Sequence, residues 1–310
     1  MRIQIVDAFT SRPFTGNPAG VCLLPAGRWP DDAWLGRLAA ELNHPETAFA
    51  LPLPAGSGAD WEIRWFTPLV EANLCGHATL ATVHTLRREG LLSGGRVRFL
   101  SRSAGLLTAW AEEDEGNEGN EGNEGNEGNA GNEKDGRGDG RITLDFPAAP
   151  ATEVPIPTGL ADALGALPEA TFRTGALGDL LTVLPDEATV RALRPDLTAV
   201  AALSLREEVR GVIVTAAAAD GARCDYDFVS RFFAPARGIP EDPVTGSAHT
   251  ALAPYWAARL GRFDALTGLQ ASGRPGQVEV ALRGDRVLLT GRAVTVMEAT
   301  LRVRPVLGEP

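Results

Sequence analysis

Two segments that lie far apart in the chain share one motif of residues that could do chemistry. Residues 64–78 read RWFTPLVEANLCGHA, and residues 231–248 read RFFAPARGIPEDPVTGSA. Each has an Arg-aromatic-Phe-x-Pro stretch, then an acidic residue, then a turn of small residues that opens an Ala-rich helix. Unpaired N–H groups and the positive end of the dipole collect at a helix N-terminus. Two such termini facing one cleft would bind a carboxylate or stabilise a developing oxyanion.

The candidate acid and base groups lie in or near these segments. Glu46, within NHPETAF, stands between apolar neighbours, and partial burial would raise the pKa of its carboxyl. His77 stands at the start of the first helix, where the dipole disfavours protonation and predicts a neutral, hydrogen-bonding ring. Asp242 and Ser247 flank the start of the second helix, as a proton carrier and as a hydroxyl donor. General acid–base catalysis needs such a carboxylate and a second proton donor.

Each of these residues also has a purely structural interpretation. Glu46 could cap a helix, Asp242 could form the turn before Pro243, and Ser247 could be a helix cap. Strand-turn-helix junctions also resemble one another in many α/β proteins. Because polar residues stand at matching places in both segments, the functional interpretation is favoured.

The residues that the chain lacks narrow the chemistry. Its one lysine, Lys134, lies in a low-complexity stretch, which argues against a Schiff base and pyridoxal-phosphate chemistry. Neither G-x-x-x-x-G-K-[ST] nor a G-x-G-x-x-G after a strand occurs, which argues against a nucleotide cofactor. The four histidines show no H-x-H or H-E-x-x-H spacing, so a zinc site has weak support. Acids, histidines, hydroxyls and backbone amides remain, and that set suits proton transfer.

Charge and composition predict a soluble cytoplasmic protein. The chain has 29 basic and 40 acidic residues, but residues 112–141 carry eleven acids and three bases and so account for most of the net charge of −11. The remainder is close to neutral, so nucleic acid is not an expected partner. No apolar run reaches the length of a membrane span and no signal peptide is recognisable. Cys22, Cys75 and Cys224 form no C-x-x-C pair, which suits a reducing compartment.

A three-residue EGN repeat interrupts the first half of the chain. It lacks the apolar residues that would offset the entropy of ordering, so residues 113–140 are predicted to form a disordered loop. The flanking stretches GLLTAWAEE and RITLDFPAA are strand-like and predict a hairpin. A long insertion there costs little free energy, because the entropy lost on closing a loop grows only with the logarithm of its length.

Around these motifs the hydrophobic period switches between two and 3.6, as in an α+β fold. Strands are predicted at residues 3–9, 20–25, 47–51, 61–66, 97–101, 106–110, 142–146, 180–185, 211–216, 224–232, 277–282, 286–291 and 293–303. Helices are predicted at residues 31–42, 77–90, 196–204 and 247–261. Many strands and few helices predict two halves, each a curved, barrel-like sheet around a buried central helix. Pro254 should kink the last helix or mark a loose turn.

An ordered set of motifs gives the chain a family resemblance. FTSRPFTGNPAGVCLLP, NHPETAF, RWFTP with CGHAT, EDPVTGSAH and AVTVMEATLRV together resemble the PhzF-like, phenazine-biosynthesis-like isomerases of the diaminopimelate epimerase-like fold. The resemblance implies two pseudo-symmetric halves, an active site in the cleft between them, a homodimer, and catalysis without metal or organic cofactor. The halves would be residues 1–148 and 149–310, with the last strand, near residues 293–303, a candidate to return to the first half.

The resemblance also implies roles for individual residues. The family's catalytic glutamate falls on Glu46, which would remove a proton from carbon and return it elsewhere on the substrate. His77, Asp242 and Ser247 match the other catalytic positions. Gly76 and Gly246 would let the backbone approach a substrate carboxylate.

Related epimerases use two cysteines, one at each helix start. Here Cys75 fills the first position and Thr245 the second, so a symmetric two-thiol racemisation lacks one thiol. Both residues are placed among the substrate-binding groups. Asn73 stands where many family members have an aspartate, which changes local charge without touching the proposed base.

The function predicted from these residues is a cofactor-independent isomerase that moves a proton and a double bond on a small carboxylated metabolite. Isomerisation of trans-2,3-dihydro-3-hydroxyanthranilate is one candidate reaction. Two alternatives stay open at this point: an amino-acid epimerase that pairs Cys75 with a non-thiol partner, and a binding module that keeps the cleft without catalysis.

Overall fold

The computed structural model describes residues 1–92, 94–112, 140–219 and 225–307. Its strands are β1 (Arg2–Ala8), β2 (Asn17–Leu23), β3 (Glu46–Pro52), β4 (Trp61–Phe66), β5 (Glu71–Ala72), β6 (Arg96–Ser101), β7 (Gly105–Ala111), β8 (Ile142–Pro147), β9 (Ala151–Val154), β10 (Ala170–Thr174), β11 (Asp179–Val183), β12 (Val212–Ala217), β13 (Phe228–Ala234), β14 (Ile239–Asp242), β15 (Leu266–Gln270), β16 (Gly276–Arg283), β17 (Arg286–Gly291) and β18 (Ala293–Thr300). Its α-helices are α1 (Asp32–Leu42), α2 (Gly76–Arg88), α3 (Leu160–Leu164), α4 (Glu187–Ala192), α5 (Leu197–Arg206) and α6 (Gly246–Leu260).

The strand pairings follow the same order twice. In the first half β2 pairs antiparallel with β1 and parallel with β3, and β4 pairs antiparallel with β3 and parallel with β6. In the second half β11 pairs antiparallel with β10 and parallel with β12, and β13 pairs antiparallel with β12 and parallel with β15. Antiparallel pairing of β8 with β17 joins the two half-sheets. The predicted α+β class with two pseudo-symmetric halves is confirmed.

The last strand of the chain lies beside the first. β18 pairs antiparallel with β1, from Ala293 opposite Ala8 to Thr300 opposite Arg2, and it ends three residues before the predicted limit at residue 303. The second half of the sequence therefore contributes a strand to the sheet around α2. The division of the chain at residue 148 stays a prediction.

Helix α2 is enclosed on nearly all sides. Every residue from Gly76 to Leu86 is buried, which is why no polar stripe is visible in this part of the sequence. Its polar side chains bond within the protein: the hydroxyls of Thr79 and Thr82 donate to carbonyls one turn earlier in the chain. Such internal partners offset the cost of removing these groups from water.

Helix α6 runs unbroken through Pro254, so the predicted loose turn does not occur. A proline has no N–H for the carbonyl four residues earlier, which here belongs to Thr250. That carbonyl accepts a hydrogen bond from the backbone N–H of Ala149 instead, at 3.0 Å. The proline thus frees an acceptor that holds the chain where it crosses from the first half to the second.

Several short elements have no counterpart in the predictions. They are β5, β9, β10, β14, β15, α3 and α4, each of two to six residues, and so short a segment carries little periodic signal. The predicted disordered loop falls, apart from Gly140, on residues outside the described ranges, as do Lys134 and Cys224. Among the described helices, none combines the length and apolar character needed to cross a membrane.

Candidate active site

An ion pair precedes each of the two central helices. The Arg64 guanidinium donates to both carboxylate oxygens of Glu71, at 2.7 and 2.6 Å, and Arg231 does the same with Glu241, at 2.7 and 3.0 Å. Both arginines are almost fully buried. A bidentate pair fixes direction as well as distance. The Arg-aromatic-Phe motif with its following acid therefore fixes the strand that leads into each helix.

The N-termini of α2 and α6 meet at two glycines. A Cβ built on Gly76 would lie 3.4 Å from the Cα of Gly246, and a Cβ built on Gly246 would lie 3.4 Å from the Cα of Gly76. A side chain at either glycine would therefore point toward the other helix. The N-cap residues, Cys75 and Thr245, make no side-chain capping bond to their own helices. Two sets of unpaired backbone N–H groups thus converge on one place.

Glu46 and His77 form the closest acid–imidazole pair at this junction. Glu46 is the first residue of β3 rather than a helix cap, and its Oε2 lies 3.3 Å from Nε2 of His77. Burial lowers the pKa of His77 to about 3, so the ring is neutral at physiological pH. A neutral imidazole can donate from one nitrogen only. The neighbours of the ring decide which one it is.

Asn17 decides it. Its side-chain nitrogen lies 2.8 Å from Oδ1 of Asp242 and 2.8 Å from the carbonyl oxygen of Val244, two acceptors that assign this atom as the NH₂ group. The same nitrogen lies 3.1 Å from Nδ1 of His77, so one of its two hydrogens is shared between Nδ1 and another of these acceptors. Nδ1 must therefore carry the lone pair, and Nε2–H donates to Glu46. Asn17 connects the acid of one half to the histidine of the other.

Asp242 is the second buried carboxyl of the site, at the end of β14. Its Oδ2 accepts from the Thr245 hydroxyl at 2.5 Å. The backbone N–H of Thr245 donates to the Gln270 side-chain oxygen at 2.8 Å, and the Gln270 amide donates to the Asp242 carbonyl at 2.7 Å. This ring of bonds fixes the turn before α6. Within this ring the hydrogen of the Thr245 hydroxyl is already donated to Asp242.

Cys75 lies against the same acid. Its thiol is hydrogen-bonded to Glu46, and its pKa is raised by burial and then by the charge of Glu46. Cys75 is therefore a thiol at neutral pH. Its sulfur and the nearest side-chain atoms of Glu46 and His77 lie within 4.8 Å of one another, a donor set that could surround a soft divalent cation. A cation bound through Nε2 of His77 would replace the hydrogen bond to Glu46, whereas Nδ1, 3.5 Å from the Cys75 sulfur, keeps a lone pair in this tautomer.

The two carboxyls titrate as a pair. Burial, with a further contribution from the charge of Asp242, raises the pKa of Glu46 to about 8. Burial also raises the pKa of Asp242 to about 6, against the hydrogen bonds from Thr245 and Asn17 that lower it. Near neutral pH the pair therefore holds about one proton, mainly on Glu46. A carboxyl that gains and loses a proton in this range suits general acid–base work.

Ser247 is the second residue of α6 and faces the guanidinium of Arg210. The Arg210 guanidinium donates to its Oγ at 3.0 Å and forms a bidentate pair with the buried Asp179, at 2.8 and 2.6 Å. Arg210 comes directly before Gly211, which leads into β12. Ser247 does not cap the helix, since Thr245 is the N-cap.

A cavity of about 410 Å³ lies beside the two helix starts. Gly76, Ser247 and Thr250 bound it on the helix side, and the crossover segment 146–150 closes it on another. Its lining is largely apolar, through Leu74 and neighbouring residues of that crossover. Glu46, His77 and Asp242 are not among the residues that line it. The cavity therefore fits the body of a small ring whose polar group faces the helices.

The structure brings the sequence-predicted site residues into one place. Glu46, His77 and Cys75 from the first half meet Asp242, Thr245 and Ser247 from the second, with Gly76 and Gly246 between them. Sequence reasoning missed Asn17, Gln270, Arg210 and Asp179. Asn17 lies in the G-N-P piece of a family motif, which was its only signal. The other three have no neighbouring pattern that separates them from surface residues.

Comparison with known proteins shows the family to which the chain belongs. Residues 6–299 match the family described as phenazine biosynthesis-like protein. An uncharacterised isomerase of Pseudomonas aeruginosa is 43% identical over 96% of this chain and 97% of its own length. Phenazine biosynthesis-like domain-containing protein 1 of Mus musculus is 36% identical over 96% of this chain and 98% of its own.

Solved structures extend the likeness to the fold. A PhzF family protein of Enterococcus faecalis superposes with a TM-score of 0.78 at 36% identity, covering 97% of this chain and 99% of that one. A probable proline racemase of Agrobacterium radiobacter has a TM-score of 0.61 at 15% identity, covering 98% of this chain and 93% of that one, and shows the fold alone. These neighbours confirm the diaminopimelate epimerase-like fold, and with several relatives named isomerases the isomerase class is supported. The chain belongs to the phenazine biosynthesis-like, or PhzF, family.

Proposed function

We propose that this isomerase works without a cofactor and moves a proton and a double bond on a small carboxylated metabolite, with Glu46 as general acid and base. The observation that carries the proposal is the position of Glu46. It lies beside the junction of two helix N-termini, accepts a hydrogen bond from a neutral His77, and has a pKa of about 8. Its carboxyl can therefore exchange a proton with carbon near physiological pH.

The proposed reaction needs no other proton carrier. The Glu46 carboxylate removes a hydrogen from a carbon next to a double bond, and the electron pair left behind spreads over the unsaturated system and the substrate carboxylate. The Glu46 carboxylic acid then returns the proton to another carbon of the same system, so that no atom is gained or lost. The His77 N–H stabilises Glu46 while it is ionised, and Asp242 takes up charge changes in the pair.

The substrate class follows from the groups around the acid. The N-termini of α2 and α6 favour an anion, so we place the substrate carboxylate at Gly76 and Ser247. The apolar cavity beside them accepts a ring or an unsaturated chain. Isomerisation of trans-2,3-dihydro-3-hydroxyanthranilate fits both requirements and is our first candidate. We also propose a homodimer, which light scattering at several concentrations would test.

One observation favours a second candidate, an amino-acid epimerase. The Cys75 thiol is hydrogen-bonded to Glu46 and stands at the helix start where related epimerases carry a cysteine. Against it, the opposing Thr245 hydroxyl is engaged with Asp242, and a hydroxyl has too high a pKa to serve as the second acid. In this alternative Cys75→Ser abolishes deuterium uptake at the α-carbon of an amino acid. In the isomerase it has a small effect.

Proton NMR in D₂O tests the proposal. The purified protein is incubated with a panel of small carboxylates that includes dihydrohydroxyanthranilate, and deuterium uptake and double-bond migration are followed. Glu46→Gln should lower the rate at least about 100-fold, since a positioned acid–base group contributes that much or more. The exposed Glu41→Gln is the matched control and should leave the rate unchanged. Full activity in Glu46→Gln would contradict the mechanism. Binding without exchange would point to a binding module.

A further inference from the structure

The two halves place corresponding strands in the same register. In the first half Thr47 of β3 pairs with Phe66 of β4. In the second half Val212 of β12 pairs with Phe233 of β13. Phe66 and Phe233 are the last aromatic residues of the RWF and RFF motifs, so Thr47 and Val212 occupy equivalent positions.

This register identifies the counterpart of the acid. Glu46 comes before Thr47, and the equivalent residue of the second half is Gly211. No side chain fits at Gly211, because a Cβ there would lie 2.6 Å from the Phe232 ring. The neighbouring residue, Arg210, instead extends toward the site and bonds to Ser247. One half contributes an acid at this position, and the other contributes a guanidinium next to it.

Arg210 is held in one orientation by two neighbours, the Asp179 carboxylate and the Phe232 ring. Its two donors to Asp179 form a fork, and its guanidinium lies 5.2 Å from the centre of the Phe232 ring. Asp179 is fully buried, and its own backbone N–H donates to the Thr174 hydroxyl at 2.7 Å. The direction of the remaining Nη2 hydrogen toward Ser247 is therefore fixed by the fold.

That hydrogen bond determines where the Ser247 hydroxyl can donate. Oγ already accepts from Arg210, so its own hydrogen must go to another acceptor. Ser247 lines the cavity together with Gly76. Its hydroxyl hydrogen and the helix N–H groups then face the same space. All of these groups are donors, which suits a ligand group that only accepts.

We propose that Arg210, clamped by Asp179, is a positioning residue that turns the Ser247 hydroxyl into a fixed donor for an anionic oxygen of the substrate. This assignment rests on the proposed function and narrows its substrate class to compounds with a carboxylate rather than a carboxamide at that end. Burial raises the pKa of both Glu46 and Asp242, and the positive charge of Arg210 opposes that rise. Arg210 therefore also links the anion site to the acid pair.

A double-mutant cycle with benzoate and benzamide as probes tests the role. Calorimetry should give benzoate affinities about tenfold weaker in Arg210→Met and in Ser247→Ala, as for loss of one charge-assisted hydrogen bond. The double variant should bind no more weakly than Ser247→Ala, because Arg210 acts through that hydroxyl. Benzamide binding should change by less than about twofold. Arg206→Met, at an arginine that is 53% exposed, is the control and should bind like the wild type.

The outcomes separate this proposal from the proposed function. Additive losses, equal losses for benzamide, or no benzoate binding by the wild type would overturn the role of Arg210. These measurements need no turnover, whereas the deuterium experiment with Glu46→Gln tests the reaction itself. If Arg210→Met does not fold because Asp179 is left unpaired, Asp179→Asn/Arg210→Gln removes both charges together. It should show the same loss of benzoate affinity, and wild-type affinity in that variant would contradict the proposal.

Discussion

Gly76 and Gly246 touch across the boundary between the two halves. The Cβ that each lacks would lie 3.4 Å from the Cα of the other, an ordinary van der Waals distance. One added methyl group is therefore accommodated at contact distance, whereas two would compete for the same gap. The glycines allow two helix N-termini to approach until their N–H groups serve one site. The expected close approach of the backbone to the substrate therefore depends on the close approach of α2 and α6 to each other.

Alanine substitutions should therefore be strongly non-additive. Gly76→Ala and Gly246→Ala should each change the free energy of unfolding by no more than about 1 kcal/mol, because better helix propensity offsets tighter packing. The double variant should lose a further 1–3 kcal/mol or so through overpacking. Denaturant unfolding measures all three. Gly36→Ala in α1, with no atom within 4 Å of its Cβ, is the control and should stabilise. Additive changes in the free energy of unfolding would mean that the two methyl groups do not compete for one gap, which would contradict the prediction.

Glu46 should make the protein less stable as pH rises. Its pKa is about 8 in the folded protein, above the ordinary glutamate value of 4.5, so the folded state binds its proton more tightly. The resulting stabilisation is complete below pH 4.5 and is lost as pH rises through about 8. Glu46→Gln removes this dependence and should gain on the order of 4 kcal/mol in the free energy of unfolding relative to wild type between pH 5 and 9, at about 1.4 kcal/mol per pKa unit. Unfolding curves of the variant and the wild type across this pH range measure the effect. A difference in their free energies of unfolding that does not change with pH would contradict the raised pKa of Glu46.

Asp242 should set the pH at which the base becomes available. The charge of Asp242 adds to burial in raising the pKa of Glu46, so Asp242→Asn should lower that pKa while the amide oxygen still accepts hydrogen bonds. In the wild type kcat/KM should rise with pH toward about 8, since the free enzyme must hold Glu46 ionised. In the variant the rise should move to lower pH. A profile that stays in place would mean that the two carboxyls do not interact.

The sequence was most informative where the local structure requires particular residue types at fixed spacings. Repeated motifs located both helix starts because an ion pair, a turn and a helix must follow one another within a short stretch, as Arg64 and Glu71 illustrate. Long buried strands and α2 were equally accessible, since burial on several sides leaves continuous apolar runs. The seven elements that were missed are all short, with two to six residues each, and carry little periodic signal.

The missed site residues depend on contacts between distant parts of the chain. Asn17 reaches Asp242 across 225 positions, and nothing beside Asn17 indicates that partner. Arg210 lies in EEVRG, a charged stretch typical of a solvent-exposed turn, and only the register of β12 brings it to Ser247. The loose turn predicted at Pro254 was wrong for a related reason, because the donor that satisfies the freed Thr250 carbonyl is the backbone N–H of Ala149. Local rules identify chemistry-bearing residues, whereas their partners are set by topology.

Asn17 should control the tautomer of His77. Its NH₂ group faces Nδ1 and keeps the hydrogen on Nε2, next to Glu46. Asn17→Ala removes this constraint and takes a donor from Asp242 and from the Val244 carbonyl, both of them buried acceptors. The loss should cost about 1–3 kcal/mol in the free energy of unfolding. It should also raise the pKa of Asp242, because the hydrogen bond from Asn17 lowers it.

Long-range ¹H–¹⁵N spectra of the histidine ring measure this directly. The wild type should show Nε2–H at His77 between pH 5 and 8, whereas Asn17→Ala should show a mixture of tautomers and a lower exchange rate in D₂O. The exposed Asn73→Ala is the matched control and should keep both the tautomer and the rate. A single Nε2–H form in Asn17→Ala would mean that Glu46 alone fixes the ring, since it would then be the acceptor that selects the tautomer.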